Sequence, residues 1–557
     1  MNTTINFKRF AIALATIALA GTFASDACTN LLVGKKASTD GSTMVTYADD
    51  SHTRYGYLQY LPAADHKPGE MRQIYDWGNG EYHGEIPEAA HTYSVVGNMN
   101  EHQLTIVETT WTGRKELVDT TAILDYGSLI YITLQRAKTA REAIETIAQL
   151  VKDYGYRSSG ESFSIGDPNE VWIMDIIGKG GKSKGAVWVA QRIPDDCIAA
   201  HANFARTRQF PKNDKKNCLY SPDVISFARD MGYFTGKDAD FDFANAYCPI
   251  SFSGMRACEA RVWAFFNRFT TGMDAYLPFI NCEPGAKPMP LYVKPEKQLS
   301  LSDVREMMRD HFEGTPFDMT LDPGATMNYG VPYRWRPSHF KVDGQEYTHE
   351  RAIATQQSAF VLVAQMRSWL PDAIGGVLWF ANDDANTAVF VPMYCCMTSI
   401  PKSYSHGIAD LYHFNTESAF WVANWVANQT YTRYSLMIDD VRKVQGQLED
   451  YYAAHQPVIE AQALELMKTS PEKAIALLNG YSNAEGQRCT AAYKELAEYL
   501  LVKYLDGNRK REKDGKFEYN KWGVPVSPEF PGYNQEYFNA IIADPQAKER
   551  LKVKEIK

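Results

Sequence analysis

The sequence has no apolar run long enough to cross a bilayer. The longest candidate, Phe10–Ala20, spans about a dozen residues where roughly 20 are needed. It also lacks a basic stripe. The net charge is −9, and the one basic run, Asn508–Lys516, carries its own acids and a glycine, as a solvated loop does. That balance argues against a nucleic-acid partner. The His-Glu-x-x-His of zinc proteases does not occur. Gly180–Ser183 reads GGKS, like the end of a phosphate loop, but the first glycine of that motif would fall at Ile176. No internal repeat or low-complexity segment is found.

What is present begins with a leader. Lys8 and Arg9 form a positive flank, Phe10–Ala20 an apolar segment, and Ser25-Asp26-Ala27 a small-residue cleavage site. Residues 1–27 therefore read as a signal peptide, and a periplasmic or secreted protein is expected. There are nine cysteines, and their spacings give no zinc pattern. In an oxidising compartment an odd count leaves at least one thiol unpaired. The other eight are open to pairing or to burial as free thiols.

Cysteine 28 would head the mature chain. A lipid anchor, a disulfide and a nucleophile are the competing readings. A lipobox favours Leu at −3, where Ser25 stands, and the apolar segment stops about seven residues before the cut. A thiol needs a base to become thiolate, since its ordinary pKa is about 8.5. Cleavage after Ala27 would give Cys28 a free α-amine with a reference pKa of about 7.7–8.0. Nucleophile and base would then be one residue.

Strand signals follow at once. Cys28–Gly34 and Ser42–Ala48 flank the Ser38–Gly41 turn, so a hairpin is expected at the start. Gln103–Thr110, a hairpin over Ser162–Ile177, Ala186–Ile193 and a strand pair in Gly375–Tyr394 extend the β content. Thr139–Glu142 has capping-box spacing before a helix stopped by Gly155. Strands and helices alternate without a βαβ rhythm, which favours an α+β layered architecture. Leu436–Asp506 is mostly helical, with Tyr493, Leu496, Leu500 and Tyr504 as one stripe.

Six segments taken together carry a family resemblance: CTNLLVGKKASTDGSTMVTYADDSH (28–52), GNMNEHQLTIVETT, DYGSLIYITLQRAKTAREAI, GESFSIGDPNEVWIMDIIGKG, VWVAQRIPDDCIAAHANFAR and ESAFWVANWVANQTYTRY. In that order, over about residues 28–440, the chain resembles the secreted cysteine dipeptidases of the N-terminal-nucleophile hydrolases, relatives of choloylglycine hydrolase and penicillin V acylase. The resemblance implies a four-layer αββα sandwich, placed here over 28–430; the helical pattern after it gives a mostly helical 431–557 packed on that sandwich. It also implies hydrolysis of small peptides without metal or cofactor.

Carried over residue by residue, Cys28 is the nucleophile and Asp50 a partner for its α-ammonium. Asn203 is the oxyanion donor, and Arg261 the remaining active-site arginine. The family pattern has an Arg three residues before the Asp; here that position is Tyr47, so cationic help is expected to be missing there. The second oxyanion donor is expected near Thr110. A dipeptidase must recognise a free amino end, for which Asp50 or Glu108 could serve. His52 and His201 read as structural. An acylase acting on another amide, such as a conjugated bile acid or an acyl-homoserine lactone, and a surface lipoprotein anchored at Cys28 are the alternatives. Homo-oligomerisation stays open.

Overall fold

The computed structural model describes residues 28–326 and 329–554; the expected leader, 1–27, lies outside them. In chain order the elements that matter here begin with β1 (Asn30–Val33), β2 (Thr43–Asp50), β3 (Met71–Tyr75), β4 (Tyr82–Pro87) and β5 (Thr105–Trp111). Next come α1 (Tyr126–Leu134), α2 (Ala140–Tyr154), β6 (Gly160–Gly166), β7 (Val171–Gly178), β8 (Ala186–Arg192) and β9 (Ile198–His201). Then follow α3 (Ala260–Phe269), α4 (Leu301–Met308), β10 (Ser358–Met366), β11 (Val377–Asn382) and β12 (Val391–Tyr394). Three helices close the set: α5 (Ala419–Thr430), α6 (Tyr434–Met467) and α7 (Pro471–Lys503).

Two antiparallel sheets dominate the described residues. One runs β9-β1-β2-β10-β11-β12, edged by Tyr292–Val293; the other runs β8-β7-β6-β5 between shorter edge strands. β2 lies against β5, β6 and β7 of the second sheet. His201 on β9 bonds Thr109 on β5 and Ser164 on β6, each at 2.7 Å. Helices cover the outer faces: α1 and α2 on the second sheet, α3 to α7 on the first. The chain is thus mixed α+β, with antiparallel sheets and long C-terminal helices.

The opening hairpin forms as its turn residues dictate. Asp40 Oδ1 accepts from the Ser42 N–H at 3.0 Å, Gly41 takes φ +85, and β1 and β2 pair through Leu32–Val45 and Val33–Met44. Ahead of β1, Thr29 bridges Ala48, which brings Cys28 to the end of β2. On α2 the expected stripe Ala140, Ile144, Ile147 and Val151 is buried, and Thr139 caps the Glu142 N–H. The capping box is not closed as expected: Glu142 accepts from the Lys138 N–H, one residue earlier. Residues Tyr493 to Tyr504 of the C-terminal stripe share one core with both sheets. None of the nine cysteines is in a disulfide, so the parity argument resolves to free thiols, seven of them buried. No helix of the described residues is long and apolar enough to cross a membrane.

Candidate functional site

Cys28 is buried at 1% exposure, two residues before β1. Its Sγ lies 3.7 Å from Glu108 Oε1 and 3.9 Å from the Tyr47 hydroxyl, which itself donates to Glu108 at 2.7 Å. Burial, then the charges of Glu108, Asp49 and Asp50, hold this thiol well above its ordinary pKa. With Cys28 inside the longer chain, its nitrogen an amide, the sulfur is therefore kept protonated.

Asn203 lies two residues past the end of β9. Its backbone sits at φ +59, a left-handed conformation that asparagine tolerates better than most residues. Its Nδ2 donates to the Thr110 carbonyl at 2.7 Å. Arg261 opens α3 straight after a π-helical turn, Gly254–Glu259. Such turns often mark functional positions. The turn packs close to the site: a Cβ on Gly254 would come within 2.7 Å of the Phe204 ring.

The Arg261 guanidinium ties these parts together. Nη1 donates to the Cys28 carbonyl at 2.7 Å and to Thr29 Oγ1 at 2.8 Å; Nη2 donates to Asn203 Oδ1 at 3.0 Å and to the Ala202 carbonyl at 3.3 Å. Burial, and then the charge of Arg351, lowers its pKa to about 10. Cys28, Thr110, Asn203 and Arg261 thus converge from four distant stretches of sequence.

Asp50 is fully buried, but its carboxylate accepts from Arg351 and from Ser358. A bulge between Ser358 and Phe360 sets the register that pairs Ser358 with Asp50. The family arginine is absent at Tyr47 as expected, yet positive charge is not missing from the site, since Arg351 and Arg261 supply it. Arg351 and Ser358 escaped the sequence reading because they lie about three hundred positions from Asp50.

The neighbouring Asp49, on the opposite face of β2 by strand alternation, opens on a cavity. This space of about 270 Å³ is lined by Asp49, Arg54, Tyr57, Trp77, Tyr131 and Phe360 among others. Tyr47 touches both sides of the boundary: its hydroxyl faces Cys28 and its ring meets Phe360 edge-on at 5.6 Å. Neither Asp50 nor Glu108, the carboxylates expected for a substrate ammonium, is among the residues lining this cavity. The signal for Asp49 was the Asp-Asp pair itself, which in a strand must offer one carboxylate to each face. Behind Glu108, Glu161 is raised well above the usual carboxylate range by burial and by Glu108.

His201, bonded to Thr109 and Ser164, is structural as expected, and His52 is exposed.

Comparison with known proteins identifies the family. The model of peptidase family C69 matches residues 27–72 and 60–447. A "Probable dipeptidase" of Salmonella dublin is 26% identical over 392 residues, covering 66% of this chain and 81% of its own length. "Probable dipeptidase B" of Streptococcus pyogenes serotype M1 is 24% identical over 518 residues, covering 87% and 95%. "Dipeptidase A" of Lactobacillus helveticus is 24% identical over 447 residues, covering 76% and 84%. The matched stretch contains every residue gathered around Cys28, and the chain belongs to peptidase family C69.

Proposed function

We propose that the chain is a cysteine dipeptidase whose working form begins at Cys28, released from a leader on export to the periplasm or beyond. The family and its relatives support the peptide substrate. The observation that carries the site is the Arg261 guanidinium, which binds the Cys28 carbonyl and the Asn203 amide at once.

In the reaction, the α-amine of Cys28 takes the thiol proton, directly or through a water. The new α-ammonium offsets the carboxylates that otherwise hold the thiol protonated. The thiolate attacks the scissile carbonyl, forming a C–S bond while the carbonyl oxygen becomes an oxyanion. Asn203 and nearby backbone N–H groups stabilise that charge, a contribution commonly worth ~10²–10³ in rate. The tetrahedral intermediate collapses, the C–N bond breaks, and the α-ammonium protonates the departing amine. Water, deprotonated by the same amine, then hydrolyses the thioester. Asp50, bonded to Arg351 and Ser358, fixes the end of β2 beside the nucleophile.

The cavity beside Tyr47 receives the substrate. Asp49 is the carboxylate that meets its ammonium, and the aromatic walls take its side chains. The two facing sheets with helices outside each support the four-layer αββα sandwich of the N-terminal-nucleophile hydrolases over 28–430. Residues 431–554 make up the mostly helical part packed on it.

A panel of dipeptides, glycine- and taurine-conjugated bile acids and an acyl-homoserine lactone tests the substrate class. Turnover of dipeptides well above the other amides is expected. Preference for a conjugate would replace the dipeptidase by an acylase on the same machinery.

A further inference from the structure

The β3–β4 hairpin carries a buried polar group that the reaction does not use. His83, on β4, has a side chain exposed by only 1%, and neither ring nitrogen has a hydrogen-bond partner. The carboxylates nearest to it, Asp76 and Glu81, stand off at 3.9 and 3.8 Å, beyond hydrogen-bonding reach. An imidazole buried with both nitrogens unmet calls for a ligand.

The surroundings suit a cation. One ligand atom from each of Asp76, His83 and Asp125 lies within 4.8 Å of the other two. Both carboxylates are held by bonds that leave them acceptor capacity. Asp76 Oδ1 accepts from the Gly78 and Asn79 N–H groups at 2.9 Å, while Oδ2 faces His83. Asp125 caps α1, accepting from the Ser128 N–H at 3.0 Å and its hydroxyl at 2.7 Å.

We propose that Asp76, His83 and Asp125 bind one divalent first-row transition-metal ion, which fastens the β3–β4 hairpin to the start of α1. One imidazole with two carboxylates is a nitrogen–oxygen set of the kind such ions take. Bonds of about 2.0–2.2 Å place ligand atoms roughly 3 Å apart, so modest side-chain rotation closes the site. The consequence reaches the cavity. Trp77, next to Asp76, packs on Tyr131 of α1 with ring centroids 4.7 Å apart, and both line that space. A Cβ on Gly127 would come within 2.3 Å of Trp77, so hairpin and helix already dock tightly. The ion would fix two walls of the cavity while touching no reacting atom.

Titration of the purified, chelator-stripped protein with Mn²⁺, read by electron paramagnetic resonance, tests this. Mn²⁺ prefers nitrogen and oxygen ligands, so the nine thiols compete little. One bound Mn²⁺ per chain is expected, with binding weakened at least 30-fold by His83→Phe and by Asp76→Asn. The asparagine keeps an acceptor for the hairpin turn, so that variant separates loss of charge from loss of fold. A wild-type protein that binds no Mn²⁺ at millimolar concentration, or an Asp76→Asn variant that binds it as tightly as wild type, overturns the proposal. Peptide turnover is not the readout, so either result leaves the dipeptidase reading untouched.

Discussion

Arg261 sets which way the Asn203 amide points. A guanidinium only donates, and its Nη2 lies 3.0 Å from Asn203 Oδ1, so Nδ2 must face the other way, where it meets the Thr110 carbonyl at 2.7 Å. The arginine reaches Cys28 through the same planar group, at 2.7 Å from its carbonyl. Oxyanion donor and nucleophile are therefore oriented by one side chain. Arg261→Lys keeps the charge but cannot span these acceptors. Steady-state kinetics should show kcat down about 100-fold with a much smaller change in KM. Unchanged kcat would remove Arg261 from the positioning of either group.

Asn203 lends itself to a cleaner substitution. Glycine occupies its φ of +59 without steric cost. Asn203→Gly should therefore leave stability within about 1 kcal/mol of the parent, by urea unfolding, while kcat falls by ~10²–10³. A loss of stability without a loss of rate would make the residue structural.

Replacing the sulfur separates nucleophile from fold. Cys28→Ala should abolish dipeptide turnover yet unfold at nearly the parental urea concentration, since it removes one small buried atom group. Cys28→Ser should be slow but measurable, its alcohol being a weaker nucleophile than a thiolate. Turnover persisting in the alanine variant would end the mechanism.

Much of this arrangement was legible in local sequence. The opening hairpin, the β6–β7 hairpin and α2 were readable because turn residues and apolar periodicity act over a few positions. Cys28 was readable because its place in the chain carries a mechanism. The partners of Asp50 were not, because Arg351 and Ser358 meet it only after the first sheet is assembled. The same holds for the Tyr47–Glu108 pair, joined across two sheets. Cysteine parity left the fate of eight thiols open for a related reason: a count says nothing about which thiols fold next to one another, and all nine are unpaired.

Stability should depend on pH through His201. Burial, and then the charge of Arg206, pushes its imidazole down to about 3, whereas an unfolded histidine titrates near 6.5. Between about 6.5 and 3 the unfolded chain binds the extra proton, so this side chain costs the fold about 1 kcal/mol per pH unit as pH falls. His201→Gln retains hydrogen-bonding atoms for Thr109 and Ser164 but cannot titrate. Urea unfolding at pH 6.5, 5.5 and 4.5 should show a shallower acid loss in that variant. An identical slope would place the titrating group elsewhere.

The mechanism rests most directly on the mass of the active protein, measured intact by electrospray on the fraction that hydrolyses dipeptides. It predicts a chain that starts at an unmodified Cys28 with its α-amine free. An active species that still carries upstream residues, or a lipid on Cys28, would contradict it.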